Sequence, residues 1–122
     1  GVMLTPNAIA WASISDRNAK ENIVELNHND TLEKVKKLPI YQYNMIGSPA
    51  EELCRGPVAQ EWHELFTSSK SNLRIDTMDL DGITLSALKG LALKVDTLES
   101  LVEMLTKQNL ELIKRLDQLE LK

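Results

Sequence analysis

Along residues 83–122 the aliphatic side chains return with a period that only a helix can use. Leu88, Val95, Val102, Asn109 and Leu116 stand seven apart, and Leu91, Leu98, Leu105, Leu112 and Leu119 follow each of them by three. Nine of these ten a and d positions are aliphatic, the stretch has no proline, and Gly90 is its single glycine. That pattern predicts one continuous heptad helix, which over 40 residues reaches roughly 60 Å at 1.5 Å per residue. The region before it is too small to bury so long a stripe, so helices of other copies must cover it. Valine at a with leucine at d, and Asn109 at an a position, lean towards two strands; Leu101 at g and Ile113 at e widen the stripe and lean towards three. Three is favoured. Lys94 can meet Glu99 of a neighbour and Arg115 can meet Glu120; exposed pairs of this kind contribute only about 0.3–0.5 kcal/mol each and set register. Asn109 reads equally as a solvated break or as a register pin.

Residues 15–82 alternate between short elements. Asn29 or Asp30 can cap a helix, with Glu33 three residues after Asp30 in a capping-box arrangement. Leu32, Val35 and Leu38 mark its apolar face and Pro39 ends it. Ile40–Met45 alternates and favours a strand, and Gly47, Ser48 and Pro49 make a turn. A second short helix is expected over Val58–Phe66, burying Val58, Trp62, Leu65 and Phe66. Residues 67–72 form a polar loop, Leu73–Leu80 reads as extended, and Asp81-Gly82 is a turn signal. Residues 1–14, uncharged apart from the amino terminus, read as the end of an upstream segment. The expected fold class is therefore α+β: a small mixed domain over 15–82, then a coiled-coil helix over 83–122 that assembles as a trimer.

Composition narrows the function classes. The chain has 122 residues, 43% of them hydrophobic and only 4% aromatic, a bias towards leucine-rich helices over β-sandwiches. Its net charge of −4 comes without a clustered basic face, which disfavours nucleic acid as a partner. No run of 18 apolar residues is present, so no membrane partner is expected, and the opening GVMLTPNAIAWASI lacks the layout of a signal peptide. Cys54 is the one cysteine and reads as a small core hydrophobe.

Most candidate chemistry dissolves on inspection. His63 lies in Glu61-Trp62-His63-Glu64 with Thr67 four residues on, so the two-histidine zinc motif is not met. His28, in an asparagine-rich stretch, is expected to be solvated. Asp76, Asp79 and Asp81 lack the glutamate that closes a calcium loop and read as turn and cap residues. No metal or other cofactor is expected, and no glycine-rich phosphate loop is present. One constellation remains. Ser15-Asp16-Arg17-Asn18-Ala19-Lys20 puts a hydroxyl and an amine five residues apart. A lysine can serve as base to a serine only when neutral, and an exposed lysine titrates near about pH 10.4, so it must be desolvated to act. Taken alone, Ser-Asp is more often a helix cap.

SDRNAKENI resembles the entry motif of the intramolecular chaperone and auto-processing peptidase family of phage endosialidase tailspikes, neck appendages and tail fibres, also found in the myelin regulatory factor. LPIYQYN is similar to that family's next strand, RGPVAQEW to its Gly-Pro-Met-Ala-Gln block, and IDTMDLDGITLSALKGL to its final run. Four blocks in family order cover roughly residues 15–94.

The resemblance implies that Ser15 is the nucleophile and Lys20 the general base of a single-turnover serine peptidase. Cleavage is implied next to Ser15, at Ile14-Ser15 or Ser15-Asp16, with the former the natural target for a serine attacking the carbonyl before it. Gln60 and Glu61, inside a family block, are expected to serve structure first. The partners implied are two further copies and the upstream fibre or spike of the same polypeptide, which the trimer registers before it cuts itself free. The setting implied is the host cytoplasm during virion assembly, with the chaperone absent from the mature virion once cut. The alternative is a trimerisation module of the same fold that does not cut.

Overall fold

A computed structural model describes residues 1–68 and 70–121. Its elements run β1 (Val2–Met3), β2 (Ala12–Ser13), α1 (His28–Lys37), β3 (Tyr41–Tyr43), β4 (Cys54–Gly56), α2 (Ala59–Leu65) and α3 (Thr77–Glu120). The fold class is α+β: short strands and helices, then one helix of 44 residues.

α1 begins earlier than Asn29 or Asp30 because Asn27 is the better placed cap. Its backbone is extended and its side-chain oxygen accepts the Asp30 N–H at 3.1 Å. Asp30 then falls in the first turn, where a carboxylate suits the positive end of the helix dipole, and it pairs with Lys34 at 3.2 Å. Thr31 is buried with its hydroxyl donated to the Asn27 carbonyl. Leu38 closes the helix, buried, and Pro39 follows it.

β3 pairs antiparallel with β4 in the register Tyr41↔Gly56, Gln42↔Arg55 and Tyr43↔Cys54. The link turns at Met45–Ser48, where Gly47 takes a φ of +91°, open to glycine at little cost. Cys54 is partly buried. α2 buries Trp62 to 2% exposure and stacks it on Phe66 at a centroid distance of 4.7 Å. Leu65 and Phe66 are half-buried, whereas Val58, just before the helix, is exposed and contributes little to the core.

The stretch expected to be extended at Leu73–Leu80, with a turn at Asp81-Gly82, is instead helical from Thr77 onwards. A glycine inside a helix costs about 1 kcal/mol against alanine, a local penalty that a cooperative 44-residue helix absorbs. The Asp76 side chain caps no N–H; it and Asp79 accept instead from the Lys70 ammonium, at 2.6 Å and 3.3 Å, which ties the preceding loop to the helix start. Asp76, and after it Asp79, raise the Lys70 pKa above the usual lysine range.

α1 lies across the first half of α3. Gly90 makes this possible, since a Cβ there would collide with the His28 carbonyl group and stand 3.1 Å from the Leu32 Cβ. Ser86 and Ala87 are buried beside it. Beyond this junction α3 stands alone, with Leu98 at 52% and Leu105 at 61% exposure. The single chain exposes 10590 Å², where a compact monomer of its 13.7 kDa would show about 6,600 Å². No helix among the described residues is long and apolar enough to cross a membrane.

Candidate active site

The first fourteen residues form a small hairpin. Thr5, Pro6, Asn7 and Ala8 make its turn, with the Ala8 N–H donating to the Thr5 carbonyl at 3.0 Å. Pro6 presets its own φ and Asn7 tolerates the positive φ of 66° that the third position needs. β1 and β2 pair Val2↔Ser13 and Met3↔Ala12, and the Ile14 N–H adds a bond to the Gly1 carbonyl at 3.1 Å. The ladder thus holds the chain extended up to the peptide before Ser15. Every side chain of this hairpin is exposed, including Ile9 and Trp11.

Directly after it the chain doubles back. Asp16 accepts the Asn18 N–H on its side chain at 3.0 Å, and its carbonyl accepts the Ala19 N–H at 3.0 Å. One 3₁₀ turn over Arg17–Ala19 results, closed by the Lys20 N–H on the Arg17 carbonyl at 3.1 Å. This tight turn brings the two ends of the motif together: Lys20 Nζ lies 2.7 Å from Ser15 Oγ. In the ammonium form Lys20 donates to the hydroxyl oxygen. In the amine form its lone pair can accept the hydroxyl proton. Both residues are exposed in the single chain.

The other residues singled out by sequence sit elsewhere. Tyr41 donates its hydroxyl to Glu61 Oε1 at 2.7 Å, which raises the tyrosine pKa and braces β3 against α2. Gln60 is exposed on α2. His63 Nε2 is 2.8 Å from the Arg74 carbonyl, linking α2 to the approach of α3. Neither Glu61 nor His63 bonds the Ser15–Lys20 pair. Among the described residues no three metal-ligating side chains converge.

One expectation fails outright. His28 is not solvated; its side chain is 15% exposed, with Nδ1 2.7 Å from Ser86 Oγ and Nε2 2.9 Å from Glu25 Oε1. The reason is its place as the first residue of α1, where the close approach to α3 encloses it. Glu25 also reaches Lys89 at 3.5 Å. The His28 ring first, and Lys89 after it, hold the Glu25 carboxyl below the usual carboxylate range. The sequence carried a faint signal of this junction: Ser86 and Gly90, two small residues four apart, where the helix could hold larger ones.

No curated protein matches the chain. A family model described as chaperone of endosialidase matches residues 15–69, starting at Ser15 itself and spanning α1, the β3–β4 pair and α2. Residues 15–69, a little under half of the chain, are thus similar to the peptidase family described as chaperone of endosialidase.

Proposed function

We propose that the chain is an intramolecular chaperone that trimerises through α3, registers the upstream fibre or spike of its own polypeptide, and then releases itself by cutting at Ser15. The observation that carries this reading is the 2.7 Å approach of Lys20 Nζ to Ser15 Oγ, at the first residue of the family match.

Assembly comes first. The a and d side chains of α3 are exposed from Leu88 to Leu119, and about 25 cal/mol per Å² of apolar area favours covering them. Three tethered fibre ends then experience one another at an effective concentration in the millimolar range, which shortens the search for register.

The cut follows from burial. Lys20 is exposed in one copy, so its amine form has to be favoured by water exclusion when neighbouring domains close over it. Ser15 Oγ then attacks the Ile14 carbonyl carbon while its proton passes to Lys20 Nζ. The Ile14–Ser15 C–N bond breaks as that proton returns to the leaving Ser15 nitrogen, leaving Ile14 as an ester on the serine oxygen. Water hydrolyses the ester, giving an Ile14 carboxylate and restoring the Ser15 hydroxyl beside a new amino terminus. The hairpin ladder, ending at the Ile14 N–H, presents this carbonyl in extended form. Once the template is gone, an unfolded fibre has no route back to register, and its stability becomes kinetic.

The exposure of both groups also suits a second reading, a trimerisation module of the same fold that does not cut. Denaturing electrophoresis and amino-terminal sequencing of freshly expressed protein carrying its upstream region separate the two. A C-terminal fragment beginning at Ser15, absent from Ser15→Ala and Lys20→Met, supports cutting at Ile14-Ser15. A fragment beginning at Asp16 moves the cut to the other side of the serine, and a wild type that stays whole selects the second reading.

A further inference from the structure

The long helix carries two separate stripes. With about 100° of turn per residue, Leu88, Leu91, Val95 and Leu98 define one, and Ser86, Gly90, Leu93 and Thr97 another centred about 150° away. α1 occupies the second. Ser86 Oγ meets His28 Nδ1, Gly90 lies under the His28 carbonyl, and Leu93 and Thr97 line a groove with Asn29 and Leu32. Ion pairs close both flanks, Lys89 with Glu25 at 3.5 Å and Lys94 with Glu33 at 3.9 Å. Lys94, which the heptad pattern offers to a neighbour's Glu99, is thus already engaged within its own chain. The a/d stripe stays exposed on the opposite side.

Glu25 stands only five residues beyond Lys20, and the segment between them has neither helix nor strand. Its hold on α3 runs through Glu25 and His28, with Leu26 lining a cleft of about 400 Å³ shared with Met78 and Ile83. We infer that Glu25, His28 and Ser86 form a latch that fixes the start of α1, from which the Ser15–Lys20 segment extends, to the outer face of α3, so that bundling of the opposite seam determines how a neighbouring copy meets the dyad. This rests on the proposed assembly-dependent cut and supplies its missing linkage: the seam brings copies together, and the latch sets where each dyad stands relative to the bundle axis.

The chemistry suits a permanent fastener. The Ser86 hydroxyl both donates and accepts, so its contact with Nδ1 survives either charge state of the ring. Nε2 donates to Glu25 in the matching neutral tautomer and in the cation alike. His28 is a positioning residue; it does not touch the reacting atoms.

The test uses the full chain with its upstream region. Assembly is measured by light scattering, amide exchange over α1 is measured in an uncut Ser15→Ala background, and cutting is measured with Ser15 present. The latch predicts that Ser86→Ala and His28→Ala stay trimeric, exchange the α1 amides at least about tenfold faster, and cut at least about tenfold more slowly. His28→Gln, which keeps a donor and an acceptor, should recover part of the protection. Leu98→Asp should lose assembly as well. Trimeric latch variants that retain wild-type exchange overturn the inference, as do variants whose assembly fails together with the latch. Should His28→Ala fail to fold, Ser86→Ala, which removes one oxygen, decides alone. A wild type that never cuts defeats the proposed peptidase, while the exchange measurement still decides the latch.

Discussion

The two faces of α3 are built from different material and do different work. The face under α1 is made of Ser86, Ala87 and Gly90, residues small enough to let a second backbone come close, and it is satisfied within one chain. The opposite face is leucine and valine from Leu88 to Leu119, broken once by Asn109, and in one chain it is covered by nothing among the described residues. The lesson is that a single helix can serve as a domain's floor and still carry a second stripe, which the proposed function uses as an assembly seam, provided the two patterns stay out of phase.

That contrast can be broken from either side. The largest effect is expected at the seam. Leu98→Asp with Leu105→Asp places two carboxylates in each strand of the proposed bundle, where burying each leucine would contribute about 1.5–3 kcal/mol. Complete loss of oligomer by light scattering is expected, with a fall in helical circular dichroism, while the Trp62 fluorescence of the small domain is retained. Trp62→Ala acts on the other region. Removing a side chain that is 2% exposed should cost about 3–5 kcal/mol of the small domain's stability and leave the oligomeric state intact, read by denaturant unfolding and scattering together. Gly90→Ala forces α1 away from α3 and should cost about 1–3 kcal/mol, with faster amide exchange in α1 and an unchanged seam.

The smallest effect is a pH dependence. Glu25 has its pKa depressed by His28 and then Lys89, so its pairing stabilises the folded state above the ordinary carboxylate value and stops doing so as pH falls through the depressed one. The difference in melting temperature between wild type and Glu25→Gln should therefore be present at neutral pH and shrink below about pH 4. Because Glu25 is exposed, salt should weaken it too.

How much of this was legible in the chain depended on which physics dominated locally. The long helix was plain, because nine aliphatic side chains at heptad spacing admit no other element. The short helix after Asn27 and the strand at Tyr41–Tyr43 were visible for similar reasons, with the cap displaced by two or three residues because several asparagines compete for one role. Ser15 and Lys20 stood out only through their resemblance to a known motif; the 3₁₀ turn set by Asp16 is what makes a spacing of five workable. The start of α3 was misread, since Asp81-Gly82 is turn chemistry that a long cooperative helix overrides. The α1 dock was missed altogether. Hydrophobic periodicity finds surfaces that are greasy, and this one is defined by the absence of side chain at Gly90 and a hydroxyl at Ser86.

The central claim is that α3 is incomplete as one copy. Sedimentation equilibrium of the purified chain at micromolar concentration tests it most directly. A particle three times the 13.7 kDa chain mass is the expected result. A stable, helical species of 13.7 kDa would contradict it, leaving the leucine seam without an occupant and the dyad without a neighbour to bury it.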